Sequence, residues 1–450
     1  MTRTVPAWEL RSRFANSLSA LYGTEVPAYA TLVEVAQEVN SAVLRERGAQ
    51  AERLGSIDRV TAERHGAIRI GTPHELRQIA RIFGAVGMYP TGFYDLREAA
   101  PTPIPVVSTA FRPIDPGELA RNPFRVFTSM LVPGDRRFFD DDVRTGLEGA
   151  LARRRLFSDE LLELADAAEA EGGLPEPAAG RFVELATQSF ALSGAPIDRA
   201  WYRTLEKISS VAADIGGVST THINHLTPRV LDIDELYRRM QARGIVMIDR
   251  IQGPPRWHGP DVLLRQTSFR ALAEPRRFTE PDGTIGDGEL RVRFGEVEAR
   301  GVALTPAGRD RYDRLMSETD GSAAAWAARM PPTERAMAEE DLAYFTATLN
   351  RARPRDGHAP PTDLPGLARG GWVNLEPIVY EDFLPRSAAG IFSSNLTGQS
   401  SVDHEQDGAV RDAEWLAGVL DRPLHDPFVL YDRQRADSLR AVATELGTIP

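Results

Sequence analysis

The chain has 450 residues, 42% of them apolar and 26% charged, enough for a large buried core in two or three domains or in one duplicated fold. Its formal net charge of −11 excludes a general nucleic-acid binder, which needs a basic surface, but leaves room for an anionic substrate held by one or two pocket arginines. The absence of cysteine excludes disulfides, thiolate nucleophiles, iron–sulfur clusters and Cys-ligated zinc, so any metal must be held by Asp, Glu or the eight histidines.

The N-terminal stretch M-T-R-T-V-P-A-W-E-L has no apolar signal region, and no segment approaches the ~20 apolar residues needed to span a bilayer. The expectation is a cytoplasmic protein without a membrane or nucleic-acid partner. Residues 1–60 read as helical, with Leu32, Val35, Val39 and Val43 at helical spacing. Residues 61–134 then change period. His65-Gly-Ala-Ile-Arg-Ile-Gly71 is a short apolar strand, Thr72 is placed to cap a helix, and Pro73 is its first residue. That helix runs to about Gly84, and three strands follow in M-Y-P-T-G-F-Y-D-L, I-P-V-V-S-T-A-F and F-R-V-F-T-S-M-L.

Residues 135–215 read as a helical insertion, broken at Gly172-Gly-Leu-Pro-Glu-Pro. In residues 216–304 the strand–helix–three-strand order returns. H-I-N-H-L-T-P is a strand and D-I-D-E-L-Y-R-R-M-Q-A-R-G is a helix ended by Gly244. Three strands follow: I-V-M-I-D-R-I, L-L-R-Q-T-S-F and L-R-V-R-F-G-E-V-E-A-R-G-V-A-L. Residues 305–450 form a mixed tail, with helix near 333–350, a Pro-rich loop at 353–365 and further helix near 410–420.

Two of these segments align 160 residues apart. His65 matches His225, Arg69 matches Arg229, Glu75-Leu76 matches Glu235-Leu236, and Met88 matches Met247 after a one-residue gap. Two copies at this spacing suit a duplicated module paired into one pseudo-symmetric unit, not a solenoid. Pairing would bring the two first-strand histidines together, and neutral imidazole is the commonest ligand for catalytic iron or zinc. The last strand of the first copy, Phe124–Leu131, carries no acid, whereas that of the second carries Glu296 and Glu298. Duplication thus offers two histidines and one carboxylate, the set that binds a metal facially and leaves positions open. Glu296 and Glu298 share a face, so alternation leaves the choice between them open.

His222, three residues from His225, is expected on the opposite face of the strand. His74 is expected exposed on its helix, and His258, His358, His404 and His425 lie in polar or Pro/Gly-rich stretches. Arg69, four residues after His65, leaves the strand on the histidine's face. It is a candidate for bidentate binding of a carboxylate, the alternative being a surface salt bridge. Gln266 and Ser268 alternate with Arg265 and Thr267, as cavity-lining or ordinary sheet residues, and Arg229, after Pro228, is read as structural.

The duplicated segments resemble the vicinal oxygen chelate superfamily, whose βαβββ units carry a ligand on the first and last strands. F-G-E-V-E-A-R-G resembles the last-strand motif of 4-hydroxyphenylpyruvate dioxygenase, in which the ligating Glu stands four residues before an Arg; here that is Glu296 before Arg300. Over most of its length the chain resembles more closely the bacterial 2-oxoadipate dioxygenase/decarboxylase family of lysine catabolism. The segments that carry this are Y-G-T-E-V-P-A-Y-A-T-L-V-E-V, E-R-H-G-A-I-R-I-G-T, T-H-I-N-H-L-T-P-R, R-Q-T-S-F-R-A-L, F-G-E-V-E-A-R-G-V-A-L-T and D-F-L-P-R-S-A-A-G-I-F-S-S-N-L.

The resemblance implies an α+β fold in which two βαβββ modules form a half-open sheet barrel around the metal. It implies Fe(2+) held by His65, His225 and Glu296, a substrate carboxylate on Arg69, and a loop serine at Ser387. Gln266 is a further candidate for the substrate cavity. The reaction implied is oxidative decarboxylation of a 2-oxo dicarboxylate by O2, with hydroxylation of the shortened acid in the same molecule; 2-oxoadipate would give 2-hydroxyglutarate and carbon dioxide. Arg386 departs from the family, standing where a small apolar residue is expected; it is a further substrate-binding candidate that would either clash with the usual substrate or bind another carboxylate, and it puts the choice of 2-oxo acid in question. The rival readings are a glyoxalase-type isomerase using zinc or nickel without oxygen, and a duplicated module that only sequesters a small ligand.

Overall fold

The structure is a computed structural model that describes residues 3–99, 102–291, 293–318, 322–353, 357–384, 402–403 and 405–447. The N-terminal region holds β1 (Thr4–Pro6), α1 (Ala7–Glu25), α2 (Pro27–Arg47) and α3 (Ile57–Ala62). Then come β2 (Arg64–Ile70), α4 (Pro73–Ala85), β3 (Tyr89–Asp95), β4 (Val106–Arg112), α5 (Pro116–Arg121) and β5 (Arg125–Leu131). The helical stretch contains α6 (Asp141–Ala152), α7 (Asp159–Glu171), β6 (Gly173–Pro175), α8 (Glu176–Ser189), β7 (Ile197–Asp198), α9 (Arg199–Ile208) and α10 (Ser210–Gly216). Next are β8 (Ile223–Pro228), α11 (Ile233–Ala242), β9 (Leu264–Ser268), β10 (Glu274–Thr279), β11 (Ile285–Leu290) and β12 (Glu296–Arg300). The tail holds α12 (Pro306–Glu318), α13 (Ala323–Arg329), α14 (Glu334–Glu339), β13 (Phe345–Leu349), α15 (Leu364–Arg369), β14 (Val373–Pro377), α16 (Ala413–Leu420) and α17 (Pro427–Leu446). Among the described residues no helix is long and apolar enough to cross a membrane.

The central sheet has the order β3-β4-β5-β2-β8. Every position of β4 and β5 is buried, because the sheet is covered on both faces. Ile68, Ile70, Val107, Phe111, Val126 and Met130 point into one core with Phe14, Leu32, Leu76 and Phe83 of the helices, whereas Ala67, Ala110, Phe127 and Leu131 point into a second. Burying each large side chain of α4 against the first core is worth about 1.5–3 kcal/mol. The Thr72 hydroxyl accepts from the Glu75 amide at 3.2 Å, and Glu75 accepts in return from the Thr72 amide at 3.2 Å. This reciprocal cap, with Pro73 at the first position, fixes where the strand ends and the helix starts.

The antiparallel pairing of β2 with β8 is symmetric. His65 lies opposite Thr227, Gly66 opposite Leu226, and Ala67 opposite His225, so a local twofold runs through the Gly66/Leu226 pair. A Cβ on Gly66 would meet Ile223 Cδ1 at 2.9 Å, and its absence lets the two strands pack this closely. The symmetry extends outward. β5 runs parallel to β2, and β12 meets the end of β8 in parallel through the Arg229/Glu298 bridge. β9 pairs antiparallel with β12 as β4 does with β5.

The structure corrects several expectations. Residues 245–251 are not a strand; the segment meets β9 and its end at the Met247/Phe269 bridge, where the Ile248 amide donates to the Ser268 carbonyl oxygen at 2.9 Å, and beyond it at Gln252/Gln266. An unexpected hairpin, β10–β11, is inserted between β9 and β12, turning at Asp282-Gly283 with Gly283 at φ +83°. The helix expected near 333–350 ends at Glu339 and is followed by β13, which pairs with β14. The expected helix near 410–420 is α16, but the 20-residue α17 beyond it was not anticipated.

Candidate metal centre

Alternation along β2 puts His65, Ala67 and Arg69 on the face opposite the first core. The symmetric register sets His225 on that same face one ladder step away, with ring centroids 5.5 Å apart. The third member comes from β12, and F-G-E-V-E-A-R-G can be followed residue by residue. The Phe294 ring packs against His225 at 5.3 Å. A Cβ on Gly295 would lie 1.9 Å from the Phe269 ring, so only glycine fits there. Glu296 turns to the histidines, Val297 to the core, and Glu298 back to the histidine side. Tyr22, from α1, braces the arrangement: its hydroxyl lies 3.0 Å from the Asn224 carbonyl oxygen and 2.8 Å from that of Phe294.

Glu296 Oε2 lies 3.1 Å from His225 Nε2 and 3.6 Å from His65 Nε2. One donor atom from each of the three residues falls within 4.8 Å of the others, and all three residues are buried. Gln266 donates its amide to Glu296 Oε1, leaving Oε2 toward the histidines. Burial raises the Glu296 carboxyl above its ordinary pKa against the opposing pull of His65. Burial holds His225 well below its ordinary value, with the neighbouring His65 adding to the effect. At His65 burial works against the proton, but Glu298 and Glu296 outweigh it and raise the pKa. A buried carboxylate without a guanidinium partner among the described residues, facing two imidazole Nε2 atoms, is a donor set that suits a divalent first-row cation.

Glu298, which alternation could not separate from Glu296, sits elsewhere on the same ring. Its Oε2 is 3.0 Å from His65 Nδ1. Arg300 donates to it through Nε at 2.7 Å and Nη2 at 3.1 Å. Burial pushes the Glu298 carboxyl up, but Arg300, His65 and Arg125 bring it down to about 2. A wholly buried ionic cluster extends from there: Glu63 takes Arg125 at 2.8 Å and Arg229 at 2.9 Å, and Arg125 reaches Glu381 at 2.5 Å. Sequence reasoning missed this cluster, although the shared face of Glu296 and Glu298 was a signal that the second acid also reaches the histidines.

Arg69 lies at the far end of β2 with Nη1 2.5 Å from Asp214 Oδ2, both buried. It is therefore no surface salt bridge. The same Asp214 oxygen accepts from Asn224 at 2.9 Å, and its other oxygen lies 3.4 Å from His222 Nε2. His222 thus joins the histidine face instead of the opposite one. The β2–β8 register skips at Asn224, pairing Ile68 with Ile223, and this bulge reverses the alternation. Asp214 and His222 also wall a cavity of about 250 Å³ bordered by Arg153, Arg154 and Arg276. Arg229 has the structural contacts expected of it, with Glu63 and the Leu54 carbonyl oxygen. Ser268 lies opposite Glu296 in the β9–β12 ladder. His74, His258 and His358 are exposed and His425 is half-buried. Arg386, Ser387 and His404 lie outside the described residues.

Comparison with known proteins places these features in context. The model of the family described as 2-oxoadipate dioxygenase/decarboxylase matches residues 14–395. A Mycobacterium bovis protein named 2-oxoadipate dioxygenase/decarboxylase is 58% identical over 424 residues, covering 94% of this chain and 96% of that protein. A Pseudomonas putida protein of the same name is 40% identical over 461 residues, covering 97% of each. Among solved structures, hydroxyglutarate synthase from Pseudomonas putida in complex with 2-oxoadipate superposes with a TM-score of 0.83 at 37% identity, covering 99% of this chain and 100% of that one.

Proposed function

This chain belongs to the 2-oxoadipate dioxygenase/decarboxylase family, and from that premise we propose that it converts 2-oxoadipate and dioxygen to 2-hydroxyglutarate and carbon dioxide, using Fe(2+) held by His65, His225 and Glu296. The observation that carries the reading is the convergence of two imidazole Nε2 atoms and one carboxylate oxygen within 4.8 Å in a buried site. The reaction balances without an added reductant: one oxygen atom of O2 enters the new carboxylate and the other the new hydroxyl. When bound, the ion supplies a template for the 2-oxo acid end and the means to activate oxygen.

The remaining work falls to the protein. Arg69 binds the distal carboxylate, its guanidinium oriented by Asp214, and so sets which carbon of the chain lies near the metal. Gln266 orients Glu296 through Oε1. Phe294 against His225, and Phe383 against His65 at 5.0 Å, keep water from the ligand rings. Residues 61–134 and 216–304 are two copies of one module, βαβββ in the first; the second lacks a regular strand at 245–251 and has the hairpin β10–β11 added, and 135–215 is inserted between the two. The symmetric β2–β8 pairing supports this division. The test is oxygen consumption by the iron-loaded chain with a panel of 2-oxo acids. Consumption with 2-oxoadipate, and 2-hydroxyglutarate as product, is expected. Turnover that needs no oxygen would favour the isomerase alternative.

A further inference from the structure

His65 is gripped from more than one side. Its Nε2 faces Glu296 and His225, while its Nδ1 faces Glu298 at 3.0 Å. Glu298 is 0% exposed and fixed by both nitrogens of the Arg300 fork. The third Arg300 nitrogen donates to the Tyr380 carbonyl oxygen at 2.7 Å and to that of Asp382 at 3.0 Å. Those residues lead directly into Phe383, whose ring meets His65 edge-on at 5.0 Å. One arginine therefore ties down both the acid on the Nδ1 side of the imidazole and the ring that packs against it. His225 has no such anchor: neither buried Nδ1 makes a hydrogen bond of full geometry among the described residues, but that of His65 has Glu298 Oε2 at 3.0 Å, whereas the carboxylate contact of His225 is made through Nε2.

We infer that Glu298, held by Arg300, is the positioning residue of the metal site: it accepts the Nδ1 proton of His65 and so presents the Nε2 lone pair to the ion. The inference rests on the reading of His65, His225 and Glu296 as ligands, and it gives the second acid of β12 a role distinct from that of the first. A carboxylate on the outer nitrogen fixes both the tautomer and the plane of a ligating imidazole and raises its basicity. Behind Glu298 the Arg300 fork, at 2.7 and 3.1 Å, holds the carboxylate in place on the Nδ1 side of the ring. Because the imidazole is set before an ion arrives, the effect falls first on metal affinity and only through it on turnover.

The test uses the full chain, stripped of metal and titrated with Zn(II) alone against a chromophoric chelator. Glu298→Ala is expected to weaken zinc binding about 10–100-fold at unchanged far-UV circular dichroism. Glu298→Gln, which keeps an acceptor oxygen at Nδ1, is expected to recover part of that loss. Affinity within threefold of the wild type in a folded Glu298→Ala overturns the inference. If that variant does not fold, the wild type decides. In the zinc-loaded chain with 15N-labelled histidine, a slowly exchanging, downfield Nδ1–H signal is expected, assigned to His65 by its absence in His65→Gln. An Nε2–H tautomer at His65, or no protected ring N–H, overturns it. His65→Ala and His225→Ala separate the two levels. Stoichiometric zinc in both sinks the ligand reading itself. Loss of zinc in both, beside wild-type affinity in Glu298→Ala, sinks only the role of Glu298.

Discussion

Strands β2 and β8 occupy matching places on either side of the Gly66/Leu226 pair, yet their surroundings differ. Around β2 the ladder is complete: β5 and β4 follow in unbroken register, and α4 is closed by a reciprocal cap. Around β8 the ladder is interrupted: β12 meets it through one bridge, residues 245–251 touch β9 at isolated points, and Asn224 bulges. Residues at matching places differ accordingly. Arg69 faces the histidine side and pairs with Asp214, whereas Arg229 pairs with Glu63 in the ionic cluster. Glu75 is buried against Arg154 at 2.6 Å, whereas Glu235 lies half-exposed between Arg238 and Arg239. The comparison teaches that two strands can keep a symmetric backbone pairing while the side chains around them differ, with the unbroken ladder beside β2 and the paired acids Glu296 and Glu298 on β12.

The largest effect that tests this comparison is loss of the ion. His65→Ala, His225→Ala and Glu296→Ala are each expected to abolish stoichiometric metal binding and turnover while the chain stays folded, as read by metal content after desalting and by circular dichroism. If only the β2 histidine mattered, the site would not straddle the twofold. Acid should next dissolve the seam. The Glu298 carboxyl is held at about 2 against an ordinary 4.5, and Glu63 and Glu381 are lowered in the same direction. A carboxylate whose folded pKa is depressed stabilises fully above its unfolded value and ceases to as pH falls through the folded one. Thermal stability of the metal-free chain should therefore hold above pH ~4.5 and fall steadily toward pH ~2. A flat profile across that window would remove the cluster from the stability argument.

The matched arginines come next. Arg69→Ala is expected to cost about 2–5 kcal/mol in kcat/KM for the dicarboxylate without lowering metal content. Arg229→Ala is expected to cost about 3 kcal/mol in folding stability instead, by leaving part of the charge on buried Glu63 unmatched. Similar effects from the two would contradict this difference. The smallest contrast lies in the helix caps. Glu75→Ala, which leaves Arg154 without its acid, should destabilise by about 3 kcal/mol in a denaturant titration. Glu235→Ala, between flexible surface arginines, should cost under ~1 kcal/mol.

Much of this was legible in the sequence, for physical reasons that can be named. The first strands, their helices and the α4 cap follow from alternation, helical spacing and the Thr72-Pro73 signal, which are local rules. That the two histidines lie close together was legible because the aligned segments put them at matching places on paired strands. The β10–β11 hairpin and α17 were also written locally, in Asp282-Gly283 and in the Asp426, Pro427 and Gly447 that bracket the helix, and went unread. The flipped face of His222 was not legible, because alternation assumes an unbroken ladder and one bulged residue reverses it. Nor was the ionic cluster: Glu63, Arg125, Arg229, Glu298, Arg300 and Glu381 come from distant segments, and only tertiary folding decides which acid meets which base.

The twofold through Gly66 and Leu226 has one more consequence. The three proposed ligands come from β2, β8 and β12, so neither half of the sheet contains the metal site by itself. Occupancy by an ion then reads out whether the two halves have docked in the right register. Shift β8 by one residue against β2 and His225 turns from the histidine face to the core. The site is in this sense a proofreader of its own sheet: a chain paired out of step is one the ion will not reward.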